Sequence, residues 1–268
     1  GRRGIYGAAR TGVMDRQSAP VKMLVCVVEY DGTNYHGFQL QTSEPTIQGE
    51  LEKALKKLTG ESIRVIGASR TDAGVHAKAQ VIGFKSKAAL EIKNYADGLN
   101  HYLPRDIAVR SAQTVDSNFK LRGEVKNREY RYRILNSKQR SPLEQNRAYH
   151  IDIELDLDTM VSAAGKLVGT HDFASFTTSD NYSEDTTRIV YDAGFSRKDD
   201  LILFDIKANS FLKQQVRRTI GTLIRVGTGD ITTEEFERII NARKYGLAKP
   251  TAPPDGLYLT AVNYNIDL

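Results

Sequence analysis

Apolar positions along the chain fall into runs of two different periods, and the two kinds of run alternate. Val21–Tyr30 is apolar on both faces through Leu24, Val25, Cys26, Val27 and Val28, the pattern of a strand with neighbours on each side. Thr46 then offers an N-cap hydroxyl, and Ile47, Leu51, Leu55 and Leu58 follow at helical spacing as far as Gly60. Ile63–Ile66 and Val81–Phe84 predict short strands, Tyr95–Tyr102 a short helix closed by Leu103-Pro104, and Ile107–Ala112 a further strand. Arg128–Leu135 alternates with period two, so that Tyr130, Tyr132 and Ile134 share one face while Arg131 and Arg133 take the other. Ile151–Asp158 alternates as well, with Asp152, Glu154, Asp156 and Asp158 on one side, and a helix is predicted over Thr159–Val168. Leu201–Lys207 reads as a strand. A long helix is expected over Asn209–Leu223, its core stripe Leu212, Val216, Ile220 and Leu223 and its stop Gly227. Thr232-Thr-Glu-Glu235 is a capping box, and Pro253–Leu259 leads into a closing strand.

Mixed periods of this kind specify an α+β fold with antiparallel or mixed sheets. The 268 residues suffice for two halves, divided here into residues 21–115 and 116–268, although no internal repeat survives in the sequence. Residues 1–20 stand apart. Four arginines against one aspartate, four glycines and no periodicity predict a disordered basic tail without the apolar core of a secretory signal. The chain does not open on Met, so Met14 and Met23 are candidate starts.

Composition narrows the chemistry. A single cysteine, Cys26, excludes a disulfide framework and a multi-cysteine zinc site, and it suits a reducing, cytoplasmic setting. No apolar run approaches the roughly 18 residues a membrane helix needs. A net charge of +5 permits a polyanionic partner without requiring one. That charge is concentrated: Lys120–Arg140 holds eight Lys or Arg against two Glu, a net of +6, interleaved with tyrosines. Such a strand suits phosphate contacts with base stacking, and it equally suits an edge strand guarded by charge.

Four stretches carry candidate chemistry. Gly67–Ala77 connects two strands and presents Arg70, Asp72 and His76 around Gly74, an acid on a turn held by a rigid scaffold. On spacing alone Asp72 is a turn residue and Arg70 its counter-charge. Lys213 and Arg217 form a basic stripe at i, i+4, with no acid between Lys207 and Arg225. The acids from Asp152 onward have the spacing of a calcium loop, but Leu157 and Ala163 stand where its glycine and closing glutamate belong, so no metal is expected. His171 and Asp172 are assigned to turn and cap duty, since no nucleophile motif accompanies them.

Arg70-Thr-Asp-Ala-Gly-Val-His-Ala77 closely resembles the active-site loop of the tRNA pseudouridine synthase A (TruA-like) family. Ser69 stands where that family commonly has Gly, and Phe38 where it has Trp after a Tyr-Asp-Gly loop. Further segments match in order over Val21–Leu268, among them Phe119, Arg122 and Tyr130, and Gly169–Phe176. The resemblance implies two ferredoxin-like or RNA-recognition-like halves meeting at a basic cleft. It implies Asp72 as the catalytic carboxylate, attacking the nucleoside or abstracting its proton. Tyr130 would stack on the flipped base and is a candidate to take its C5 proton. Arg70 would hold the base out of the stack, and Arg217 would pair with Asp72. Leu257, with Gly256, would pack beside the uracil, and Arg122 and Arg188 occupy basic positions of the family. The implied reaction converts uridine to pseudouridine on the 3′ side of the tRNA anticodon stem-loop, with no metal and no small-molecule cofactor, in a homodimer. A non-catalytic RNA-binding protein and a synthase acting on another RNA stay open as alternatives.

Overall fold

A computed structural model describes residues 20–178 and 185–268. The tail expected over residues 1–20 lies outside the described residues except for Pro20. Residues 179–184 lie outside them as well.

The apolar runs assemble into one ten-stranded mixed sheet with five helices, the α+β class expected. Its main path runs β4 (Ile107–Val115), β1 (Lys22–Tyr30), β3 (His76–Ser86), β10 (Leu257–Asn263), β5 (Asn127–Asn136), β9 (Leu201–Ala208), β8 (Thr187–Lys198) and β7 (Gly169–Asp172). Two short strands attach beside this path, β2 (Ile66–Gly67) to β3 and β6 (Tyr149–Ile151) to β5. β1 lies between β3 and β4, antiparallel to both, and side chains of both its faces, Leu24, Val25, Cys26 and Val28, are buried, which is why its sequence is apolar on both faces. β10, from the end of the chain, runs parallel to β3 and antiparallel to β5, and so joins strands from either side of residue 116.

The helices follow from their caps and stripes. α1 (Ile47–Thr59) opens with the Thr46 hydroxyl accepting the Gly49 N–H at 3.2 Å and ends at Gly60, whose φ of 78° is left-handed. Its Ile47, Leu51 and Leu55 are buried, and each side chain contributes roughly 2 kcal/mol of burial. α2 (Lys93–Tyr102) stops where Leu103 turns extended ahead of Pro104. α5 (Thr233–Ala242) carries the expected capping box between Thr232 and Glu235.

Three expectations fail, each at a stretch where side chains compete for backbone groups. Of the strand expected over Ile63–Ile66 only Ile66 pairs, as the first residue of β2, because the Val65 N–H and carbonyl are taken by Glu52 and Gln48 of α1. The strand expected over Ile151–Asp158 ends at Ile151, and α3 (Leu157–Gly165) begins before the expected Thr159. The alternating acids here are capping chemistry: Asp156 accepts the Thr159 N–H at 3.0 Å, and Asp158 sits in the positive first turn. The helix expected from Asn209 begins only at Gln215, giving α4 (Gln215–Gly227). Asn209 Oδ1 accepts the N–H groups of Ile189 and Ser210, and Gln214 is left-handed at φ 60°, so residues 209–214 form a loop. That loop matters below.

Candidate active site

The segment between β2 and β3 is pinned from several sides before it presents anything. Gly74 takes φ 79° and donates its N–H to the Tyr35 carbonyl at 3.2 Å. Gly37, at φ 90°, lets a second loop approach so closely that a Cβ there would sit 2.8 Å from the Thr71 carbonyl oxygen. Phe38 N–H donates to that same carbonyl, and the Tyr30 hydroxyl meets Thr71 Oγ1 at 2.8 Å. His76 is buried. Its Nδ1 accepts the Gly32 N–H at 3.0 Å, which leaves Nε2 to donate to the carbonyls of Asn146 and Asp255. His76 is therefore an anchor of the loop.

On this rigid turn the Asp72 side chain is 27% exposed and meets Arg217 from the first turn of α4. Arg217 Nη1–H donates to Asp72 Oδ2 at 3.0 Å, and its Nε–H donates to the Ala252 carbonyl at 2.8 Å. Ala252 N–H donates back to the Arg217 carbonyl, so the guanidinium is aimed by the backbone as well as by the acid. Residues separated by 145 positions thus form one ion pair at the base of a cleft of about 1030 Å³.

The cleft wall is strongly cationic. Arg70, Arg122, Arg128, Arg188, Lys213 and Arg217 line it against a single carboxylate, Asp72. Arg70 has no ion pair among the described residues, and Arg122, whose Nε–H donates to the Gly67 carbonyl at 2.9 Å, lies close enough to feel its charge. Burial, then Arg70, pulls the Arg122 pKa downward. Like charges left facing each other across a cleft define an anion site. Arg188, at the start of β8, donates through Nη1 to the carbonyls of Asp185 and Thr187, while its Nε is buried with no partner among the described residues.

Tyr130 and Leu257 supply the apolar wall. Tyr130 is buried on β5, its ring edge-on to Phe211 of the 209–214 loop at 5.2 Å and 89°. Burial pushes its phenol up to about 12, against the lowering effects of a Ser69 hydrogen bond and the Arg128 charge; Asp72 adds to the rise. Leu257 opens β10 and is nearly covered. All seven residues singled out from the sequence, Asp72, Arg70, Tyr130, Arg217, Leu257, Arg122 and Arg188, line this one cleft.

The sequence reading missed Arg128 and Phe211, and it placed Leu212 and Lys213 on a helix rather than on a loop. Arg128 lies on the Tyr130 face of β5, two positions earlier, and period-two counting could have placed it there. Phe211, Leu212 and Lys213 reach the cleft because residues 209–214 are not helical, and no periodicity signals that. Conversely, Arg131 and Arg133 face away from the cleft. Arg131 grips Asp205 with two hydrogen bonds of 2.8 and 3.0 Å, and Arg133 meets Glu144 at 2.6 Å. Asp172 does cap its turn, accepting the Ala174 N–H at 3.0 Å. Among the described residues no group of three or more His, Cys, Asp or Glu could hold a metal ion, and no helix is long and apolar enough to cross a membrane.

An α+β sheet that frames an arginine-paired aspartate in a cationic cleft defines a protein built to act on a polyanion. A sequence profile described as tRNA pseudouridine synthase matches residues 26–122 and 163–265, and the chain belongs to that family. The strand bearing Arg128 and Tyr130 falls between the two matched segments. The chain is 42% identical over 238 residues to tRNA pseudouridine synthase A of Acetivibrio thermocellus, covering 89% of this chain and 98% of that protein. It is 43% identical over 244 residues to the protein of the same name from a Thermoanaerobacter species, 91% of this chain and 100% of that one. For Borrelia duttonii the identity is 36% over 244 residues, 91% of this chain and 100% of the relative.

Proposed function

We propose that this protein isomerises uridine to pseudouridine in tRNA, at uridines on the 3′ side of the anticodon stem-loop. The observation that carries the reading is the Asp72–Arg217 ion pair at 3.0 Å, at the foot of an otherwise cationic cleft. The reaction breaks the bond from N1 to C1′ and forms one from C5 to C1′. No electron or group enters or leaves, so the chemistry calls for neither metal nor small-molecule cofactor.

Each side chain then has a task. Asp72 is the catalytic carboxylate, acting on the nucleoside as nucleophile or as base. Arg217 holds it in a single orientation. Arg70, on the rim, holds the extruded nucleotide, whose unstacking costs a few kcal/mol. Arg122 and Arg188 take flanking phosphates. Leu257 packs beside the uracil, and Tyr130 lies against it. With its phenol near 12, Tyr130 stays protonated at neutral pH, and a phenolate would be present in only about one molecule in 10⁵. We therefore assign it contact with the base rather than the resting role of proton acceptor.

One cleft is small beside a tRNA, and a homodimer sharing the substrate across both copies completes the reading, as does a cytoplasmic setting. The test is release of tritium from tRNA transcripts labelled at uracil C5, because bond formation at C5 discharges that hydrogen. Release from the whole tRNA, abolished when the anticodon-arm uridines are replaced by cytidine, is the expected result. Binding without release would instead identify a non-catalytic RNA-binding protein, and release from other RNAs alone would move the substrate.

A further inference from the structure

A second hollow, of about 860 Å³, opens beside the cleft between residues 61–66, the end of β3 and the turn 117–123. Its floor is apolar, made by the buried side chains of Met23, Ile63, Phe84 and Leu121. Val21 and Ile66 stand at its edge and are 50% and 45% exposed. One wall is braced in advance. Phe119 packs against Tyr264 with ring centroids 5.5 Å apart, and the Tyr264 hydroxyl donates to the Leu121 carbonyl at 2.7 Å.

The rim carries five cations, Arg64, Lys85, Lys87, Lys120 and Arg122, against one carboxylate, Glu61. Glu61 is spent on the Ser86 hydroxyl at 2.6 Å and the Lys87 N–H at 3.0 Å. Arg64 reaches Glu52 at 3.5 Å, while Lys85, Lys87 and Lys120 have no ion pair among the described residues. Arg122 belongs to both hollows, fastened between them by its bond to the Gly67 carbonyl. The groove therefore continues the cationic cleft, and a polyanion seated in the one extends into the other. Its occupant must bring negative charge and an apolar face together. Residues 1–20, which lead up to Val21, carry four Arg against one Asp, and a second copy of the groove would bring the same cations, so like charge disfavours both. A duplex offers phosphates but keeps its bases stacked inside. An unpaired nucleotide offers a phosphate to the rim and a free ring to the floor.

We propose that this groove is a second nucleotide subsite, which holds an unpaired nucleotide of the bound tRNA while the target uridine occupies the cleft. The base lies over Val21, Ile66 and Phe119, and its phosphates meet Lys85, Lys120 and Arg122. The inference rests on the reading of the cleft as the site of uridine isomerisation, in an arm whose loop supplies unpaired nucleotides. A loop nucleotide held here fixes how that arm lies against Asp72.

The test replaces Ile66 with the photoreactive p-benzoylphenylalanine and, in a separate protein, Gln41, an exposed residue of the cleft wall. Each protein is irradiated with tRNA and its crosslinks are mapped. The probe at Ile66 should label one unpaired nucleotide of the anticodon loop other than the target. Ile66→Asp should weaken tRNA binding about tenfold, within the range a seated base contributes, with the melting temperature nearly unchanged. Lys85→Gln combined with Lys120→Gln should lower the slope of log affinity against log salt by about 1 for each phosphate released. A label on residues 1–20, on a second protomer or on a base-paired stem would overturn the proposal. So would a silent Ile66 probe beside a Gln41 probe that labels tRNA, or an Ile66→Asp protein that binds tRNA like wild type, and both results leave the proposed function standing. Two silent probes with no tritium release would overturn that function and the subsite with it.

Discussion

Both faces of β5 carry arginine and put it to different use. On one face Arg128 and Tyr130 line the cleft, and on the other Arg131 and Arg133 are spoken for by Asp205 and Glu144. The difference lies in what each face meets. The cleft face looks toward the Asp72 turn, which supplies backbone carbonyls and a single acid already paired with Arg217. The opposite face meets acids, Asp205 directly opposite Arg131 in the β5–β9 register and Glu144 in the short turn that follows β5. Charge density along a strand therefore says little about anion binding. Which arginines lack an acidic partner says much more.

The largest effect that could break this comparison comes from making one substitution on each face. Asp72→Asn should abolish tritium release while tRNA binding persists, since contacts to phosphate dominate affinity. Asp205→Asn should leave release close to wild type, because an exposed ion pair contributes only about 0–1 kcal/mol. Comparable losses from the two variants would show that the cleft face is not where the chemistry resides.

Next in size is the ion pair itself. The side chains of Arg217 and Asp72 are 15% and 27% exposed, so removing one partner strands a poorly hydrated charge. Arg217→Met should reduce turnover by about a hundredfold or more, the usual cost of a misaimed reacting group, and lower stability by roughly 1–3 kcal/mol. Adding Asp72→Asn should restore part of that stability, because no orphan carboxylate remains. Strictly additive losses in chemical denaturation would mean that the 3.0 Å contact carries no energy.

The legible part of this site is the part that is contiguous or periodic. The Arg70–Ala77 octapeptide lies in one loop, so its chemistry is readable without knowing the fold. Period two puts Tyr130 and Tyr132 on a common face, and both are buried there. Arg217 required a resemblance, because its partner is 145 residues away. Two things resisted reading. The start of α4 was hidden because Asn209 turns the chain through side-chain bonding and Gln214 is left-handed just ahead of the helix, while the apolar spacing from Leu212 continues unbroken. The hydrogen bonds donated by Arg128 were hidden because their acceptors, at residues 68, 69 and 209, become neighbours only when the sheet forms.

A smaller effect sharpens the comparison through salt dependence. Arg70 and Arg122 face the cleft without acids, so replacing each with Gln should lower the slope of log affinity against log salt by about 1 for each phosphate left without its cation. Arg131→Gln and Arg133→Gln should leave the slope unchanged, because those guanidiniums are already neutralised. Filter binding of tRNA at several salt concentrations distinguishes the two sets, and equal slopes for all four variants would erase the distinction between the faces.

The smallest effect separates two tyrosines on the same face. Tyr132 is fully covered, and its hydroxyl donates to the Pro253 carbonyl at 2.7 Å, tying β5 to the segment that precedes β10. Neither Tyr132 nor Pro253 belongs to the cleft lining. Tyr132→Phe deletes one hydrogen bond and strands a carbonyl, a loss of about 1 kcal/mol that should lower the melting temperature by about 2–4 °C. The ring stays in place to fill its volume, so the maximal rate of tritium release should match wild type. Tyr130→Phe should behave in the opposite way, with its rate impaired and its melting temperature kept, because Tyr130 lines the cleft and Tyr132 does not. If Tyr132→Phe instead lost rate without losing stability, the Pro253 hydrogen bond would have to act through Leu257, further along the same segment at the cleft wall, and the boundary between scaffold and site would shift by one strand position.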